Sequence, residues 1–163
     1  MYANCWYTNN LERRAMECRT NDSIHHLLLM AFSHSNRAML GRTRAVGLMP
    51  GQPKVLEHLM VNDGCSQRDI AQACVMDKST VASVLARMEE GGLIERVPDE
   101  ADRRRVHVQL TRLGREAGRC VQVFGDQVDD TCLTGFSASE AEQLKGLLGR
   151  VISNLAASEE MGE

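Results

Sequence analysis

Ser66-Gln67-Arg68-Asp69-Ile70-Ala71-Gln72-Ala73-Cys74-Val75-Met76-Asp77-Lys78-Ser79-Thr80-Val81-Ala82-Ser83-Val84-Leu85-Ala86-Arg87-Met88-Glu89-Glu90 is the stretch on which the fold turns. Ser66 stands at an N-cap position with Asp69 three residues on, so a short helix is expected over residues 67–73. Cys74, Val75 and Met76 form a break. Asp77 then caps a longer helix through Glu90, and Gly91-Gly92 stops it. Ile70, Val81, Val84 and Leu85 fall on inward positions, and Ala71 is the small residue where the two helices pack. Lys78, Ser79, Thr80, Ser83 and Arg87 fall outward on the first three turns. Two unequal helices joined by a three-residue break make a helix-turn-helix. Its second helix, about 21 Å long, can cross a major groove. Short hydroxyl side chains allow close approach to bases, and Arg bonds guanine in bidentate fashion. The plainer alternative is a solvated helix face, where Lys, Ser, Thr and Arg are ordinary.

Beyond this unit the period changes to two. Leu93 to Val97 reads as a short strand, Pro98-Asp99-Glu100-Ala101 as a polar turn, and Arg104 to Leu110 as a returning strand with Val106, Val108 and Leu110 on one face. Asp102, Arg103, Arg104 and Arg105 sit just past the hairpin tip. Asp102 lies two residues before Arg104 and is placed to orient its guanidinium. Arginine is favoured by the negative potential of a narrow minor groove. The alternative is that the arginines only balance Asp99, Glu100 and Asp102.

The flanks read as helices. Thr111 caps a fifth helix with Leu113, Ala117, Cys120, Val121, Phe124, Val128 and Cys132 as apolar positions. Ser137 and Glu140 form a capping box for a sixth, whose stripe is Leu144, Leu147, Leu148, Val151, Ile152 and Leu155. Toward the N-terminus, Asp22 or Ser23 caps a long first helix (Ile24, Leu27, Leu28, Ala31, Ala38, Met39) that Gly47 and Pro50 end. A second helix, from about Pro50 to Val61, carries Val55, Leu56, Leu59 and Met60. Asn62-Asp63-Gly64 is a turn.

Composition sets the outer bounds. The chain has 163 residues, 19 Lys+Arg against 22 Asp+Glu, and a net charge of −3. A 43% hydrophobic content excludes a disordered or collagenous chain. The longest apolar run, Leu27 to Phe32, is far short of the ~20 residues of a membrane helix, and no secretory signal is read, so no membrane partner and a cytoplasmic setting are expected. None of the six cysteines forms a C-x-x-C pair; a reducing compartment and mostly buried thiols are expected. Residues 66–112 carry 8 basic and 8 acidic side chains, and residues 113–163 carry 4 and 9. The acidity therefore lies beyond the candidate reading lobe and does not speak against DNA. No phosphate loop, nucleophile elbow or H-E-x-x-H is present, so no enzyme is expected. Scattered histidines, with His25 and His26 about 100° apart on a helix, give no metal site, and no cofactor is expected.

Taken together, residues 66–71, 77–81, 85–96 and 102–111 resemble the MarR-family (multiple-antibiotic-resistance regulator) winged-helix transcription factors. Asp102-Arg103-Arg104 through Leu110-Thr111 fits the family's wing pattern, D-x-R followed by an alternating strand and L-T. The resemblance covers about residues 22–156. It implies a mainly α fold with a small β-hairpin wing (α+β): a winged helix-turn-helix with a helical dimerisation region. The corresponding divisions are an N-terminal arm (1–21), the first dimerisation helix (22–47), the DNA-binding lobe (48–111), C-terminal dimerisation helices (112–156) and an acidic tail (157–163). The resemblance further implies a homodimer on double-stranded DNA with a pseudo-palindromic site, more often as a repressor. Ser79, Thr80, Ser83 and Arg87 would read the major groove, Arg104 held by Asp102 the minor groove, and Ser66, Gln67, Arg68 and Lys78 would meet phosphates. Relatives release DNA on binding a small aromatic or phenolic anion; Met30, His34, Arg37, Leu56, Met60 and Phe124 are the pocket candidates, against plain core packing. Some relatives sense oxidants through a cysteine near the first helix, which points to Cys18, with Arg13, Arg14 and Arg19 near enough in sequence to lower its pKa. A winged helix that docks protein instead of DNA is the alternative from another class. Val75 stands where many helix-turn-helix sequences place Gly; a β-branched residue resists positive φ, so a turn of different conformation is expected there.

Overall fold

A computed structural model describes residues 23–99 and 106–160. Its elements are α1 (Ile24–Ala45), α2 (Gln52–Val61), β1 (Cys65–Ser66), α3 (Gln67–Ala73), α4 (Lys78–Glu90), β2 (Ile94–Pro98), β3 (Val106–Leu110), α5 (Arg112–Cys132) and α6 (Ala138–Glu160). The helix-turn-helix boundaries agree with the sequence reading, because each is set by a local cap. The Ser23 side chain accepts from His26 N–H at the start of α1. Ser66 and Asp69 close a capping box on α3. Asp77 caps α4, and the Thr111 hydroxyl accepts from Gly114 N–H on α5. Of the acidic tail (157–163), residues as far as Glu160 continue the last helix. The N-terminal arm, with Cys5 and Cys18, lies outside the described residues.

Two features depart from expectation. The wing is part of a three-stranded antiparallel sheet of order β1-β3-β2, not a lone hairpin. Cys65 pairs with Val108 and Ser66 with His107 across β1–β3, while Ile94 pairs with Leu110 and Pro98 with Val106 across β2–β3. Two residues cannot show an alternating pattern, so β1 is invisible in the sequence. Pro98, which cannot donate to a ladder, stands on the edge strand where that is tolerated.

The second departure is the turn. Val75 has φ 48, the only positive φ at a non-glycine among the described residues. Its N–H donates to Gln72 O (3.1 Å) and Met76 N–H donates to Ala71 O (2.9 Å). That pair of bonds is a Schellman stop, with Val75 in the left-handed position. Two other helices end in the same way, with glycine there. At the end of α1, Gly47 (φ 79) donates to Arg44 O and Leu48 N–H to Thr43 O; at the end of α4, Gly92 (φ 67) donates to Glu89 O and Leu93 N–H to Met88 O. The expected alternative turn is therefore absent. Ala71 and Met76 both pack on the core, and that docking on either side of the stop, with its two hydrogen bonds, holds Val75 in a conformation its side chain disfavours.

The chain divides into two units, residues 1–124 and 125–163, with the division inside α5. In the first, Val81, Val84, Leu85 and Met88 of α4 are buried with Leu56 and Leu59 of α2, Ile70 of α3, and Val108 and Leu110 of β3. Each such side chain contributes about 1.5–3 kcal/mol relative to exposure. Asp63 fastens the sheet to α5: its carboxylate accepts from Leu110 N–H (2.8 Å) and Gly64 N–H (3.1 Å) and pairs with Arg115 (2.5 Å). On α1, Ile24, Leu27, Leu29 and Phe32 are exposed. In the second unit the Ser137–Glu140 box opens α6 as expected, and Leu147, Leu148, Ile152 and Leu155 are exposed. Of the described cysteines, Cys74 is buried and Cys65 half-buried, while Cys120 and Cys132 are exposed on this chain; the expectation of mostly buried thiols does not hold for the last two.

Candidate nucleic-acid interface

Helix α4 has one buried and one open face, as its 3.6-residue period dictates. Lys78, Ser79, Thr80 and Ser83 are exposed and Arg87 is half-buried. Ser79, Thr80, Ser83 and Arg87 line one shallow concavity of about 440 Å³. Arg87 lies back along the helix, its Nε donating to Ser83 O at 3.2 Å. A neighbouring concavity of about 480 Å³ is lined by Gln67, Arg68 and Ala71 of α3 with Lys78 and Val81 of α4. The structure thus brings together the base-reading candidates, and beside them Gln67, Arg68 and Lys78.

Ser66 is placed differently. Its N–H and its hydroxyl both donate to the Asp69 carboxylate (3.1 and 2.7 Å), while its oxygen accepts from Asp69 N–H. These bonds, the side-chain one foremost, hold the Asp69 carboxyl below its ordinary range. Both donors of Ser66 are therefore engaged within the cap.

The start of α4 is built on the same plan, more tightly. Asp77 Oδ1 accepts from Ser79 N–H (2.9 Å), Thr80 N–H (2.8 Å) and the Ser79 hydroxyl (2.5 Å). Asp77 Oδ2 accepts from the Thr80 hydroxyl (2.5 Å). The Ser79 and Thr80 hydroxyls are the largest causes of a carboxyl held far below its ordinary range. A helix N-terminus can hold an outside anion; here the chain's own carboxylate occupies it. Sequence reading identified Asp77 as a cap but not its hold on both hydroxyls. The signal was present in the Asp-x-Ser-Thr spacing.

The wing stem is tied by His107, whose Nε2 lies 2.7 Å from Asp99 Oδ2 and whose Nδ1 lies 2.8 Å from Gly64 O. Asp102, Arg103, Arg104 and Arg105 lie outside the described residues. Of the pocket candidates, Met30, His34 and Arg37 are exposed on α1, Phe124 is half-buried, and Leu56 is fully buried in the core. Met60 covers Gly118 of α5, where an added Cβ would come within 2.5 Å of its sulfur. His58 Nε2 and Cys65 Sγ are 3.6 Å apart, and burial raises the Cys65 thiol above its ordinary value. Among the described residues no three His, Cys, Asp or Glu side chains are grouped for a metal, and no helix is long and apolar enough to cross a membrane.

Comparison with known proteins converges on one family. A sequence profile of the MarR family matches residues 46–105. The transcriptional regulator HosA of Escherichia coli is 32% identical over 133 residues, which span 82% of this chain and 96% of HosA. The chain belongs to the MarR family. Among solved structures, the Staphylococcus aureus MepR–DNA complex superposes with a TM-score of 0.74 at 25% identity, over 85% of this chain and 99% of MepR. A structure of Bordetella bronchiseptica BpsR, whose DNA binding is regulated by 6-hydroxynicotinic acid, gives a TM-score of 0.74 at 27% identity, over 82% of this chain and 96% of BpsR. As a MarR-family member the chain is a winged helix-turn-helix transcriptional regulator, and α3, α4 and the three-stranded sheet are its winged helix-turn-helix.

Proposed function

We propose that this regulator is a cytoplasmic repressor that binds a pseudo-palindromic operator as a homodimer and leaves it when a small aromatic acid binds. The observation that carries the DNA reading is the open face of α4, where Ser79, Thr80, Ser83 and Arg87 share one concavity while the opposite face is buried. Arg87 reads guanine, Gln67, Arg68 and Lys78 meet phosphates, and the wing residues Arg103, Arg104 and Arg105 contact DNA, with Arg104, oriented by Asp102, entering the minor groove. Exposed apolar side chains on α1 and α6 support self-association, because contiguous apolar surface on a soluble chain marks an interface. The likeness to BpsR supports an aromatic carboxylate as effector; Met30, His34, Arg37, Leu56, Met60 and Phe124 are the pocket candidates.

The test is selection of genomic fragments by the purified protein, followed by titration of the selected duplex at rising salt. The expected result is enrichment of an inverted repeat with half-sites about 34 Å apart and a steep loss of affinity with salt. Retention of no fragment at low salt would overturn the reading. A panel of hydroxylated aromatic acids then tests release.

A further inference from the structure

Resting on the DNA-binding reading above, we infer that the leading end of α4 reads exocyclic amines in the major groove, adenine N6 or cytosine N4, through Ser79 and Thr80 acting as hydrogen-bond acceptors, with Asp77 as the residue that sets their polarity.

A hydroxyl carries one proton and two lone pairs, and elsewhere its rotor turns to suit either kind of partner. Here the rotor is committed. The Ser79 and Thr80 oxygens each lie 2.5 Å from an Asp77 oxygen, at the short end of O–H···O⁻ bonds. Asp77 is an acceptor only: its carboxyl is held far below the ordinary range by these same bonds, so it has no proton to return. Both hydroxyl protons therefore point at Asp77, and lone pairs remain for the groove. The backbone N–H groups of Ser79 and Thr80 are engaged by the same carboxylate. Four donors at the leading end of the helix thus converge on one anion.

The consequence is selective. A phosphate oxygen, guanine O6 or N7, or thymine O4 approaching these two side chains meets lone pairs and a negative charge. To bond there it must break a charge-assisted bond. An amine approaching the same oxygens meets acceptors with nothing to displace. In the major groove only adenine N6 and cytosine N4 offer such a donor. Lys78 is exposed one residue away, so phosphate neutralisation has a separate provider. Arg87, three turns into the helix, has only donors to offer. The reading face therefore runs from acceptors at its start to donors further along.

The test combines base analogues with side-chain deletions on the selected operator. Each adenine in the half-site is replaced by purine, each cytosine by 2-pyrimidinone, and purines by their 7-deaza forms; single phosphates are replaced by methylphosphonates. At one position per half-site, loss of the amine is expected to weaken wild-type binding about tenfold. The same loss should weaken Ser79→Ala or Thr80→Ala less than twofold. Loss of N7 or of a phosphate charge should show no such coupling to either side chain. Asp77→Asn, whose amide also brings donors, should shrink the amine penalty and admit acceptor-bearing bases at that position. Its fold is checked by circular dichroism, and the Ser79 and Thr80 cycles decide the matter if that variant does not fold. Coupling of either hydroxyl to N7 or to a phosphate would overturn the inference while leaving DNA binding intact, as would absence of coupling to any analogue. Failure to select any fragment would overturn DNA binding itself, and this inference with it.

Discussion

Replacing Val75 by glycine should make the protein more stable, although the change deletes a side chain and loosens the unfolded chain. Val75 holds φ 48 at the stop of α3. For a β-branched residue the left-handed conformation costs about 2 kcal/mol. Glycine removes that strain but adds about 0.7 kcal/mol of unfolded-state freedom. The lost burial is small: the side chain is 77% exposed, so removing it forfeits only about 0.4 kcal/mol of transfer energy. The balance is a gain of about 1 kcal/mol, or about 2–4 °C in Tm for a chain of this length. Gly92 supplies the reciprocal. It occupies the same stop position on α4, and an added Cβ there meets nothing within 4 Å. Gly92→Val should therefore destabilise by about the same amount, from conformation alone. Equilibrium unfolding of the three proteins in denaturant, at one protein concentration so that the proposed self-association contributes equally to each, measures both. A Val75→Gly protein no more stable than wild type, together with a tolerated Gly92→Val, would refute the strain at this turn. Because the stop keeps its two hydrogen bonds in either variant, operator affinity should not change with Val75→Gly.

Other sites give equally direct outcomes. An added Cβ at Gly114 would stand 1.9 Å from the Leu93 carbonyl oxygen, so Gly114→Ala must displace backbone and should cost about 3 kcal/mol in denaturant unfolding. Asp63→Ala leaves Leu110 N–H and Arg115 without their partner and should destabilise by about 1.5–3 kcal/mol, read the same way. The folded value of Asp77 lies below its unfolded one, so its cap stabilises fully above the ordinary Asp value of 3.8 and fades as pH falls toward the folded value. Unfolding curves of wild type and Asp77→Asn should accordingly differ most at neutral pH and converge in acid; a constant difference down to pH 2 would reject the linkage. In the wing, Arg104→Ala should weaken operator binding by about 1–3 kcal/mol with the oligomeric state unchanged in sedimentation, and wild-type affinity would reject that assignment.

Where the sequence was legible, the determinants were local. The limits of α3 and α4 follow from Ser66, Asp69 and Asp77 meeting N–H groups two or three residues away, bonds that no distant contact has to complete. The open face of α4 follows from the 3.6-residue period, since burying Val81, Val84, Leu85 and Met88 forces Ser79, Thr80 and Ser83 outward. Even the Asp77 clamp lay within reach of the spacing Asp-x-Ser-Thr, because both hydroxyls sit one turn from the carboxylate.

What tertiary structure alone decided involves partners remote in the chain. Strand β1 exists only because β3, more than 40 residues on, offers Val108 and His107 as partners. Asp63, by itself a turn residue, became the tie between the sheet and α5 because folding brings Leu110 and Arg115 to it. Val75 shows the two levels in opposition. Intrinsic preference resists positive φ there. Docking of Ala71 and Met76 on the core, with two hydrogen bonds closing the stop, outweighs that preference. Local chemistry thus determined where α4 begins and which residues it presents; packing decided how the turn before it is made.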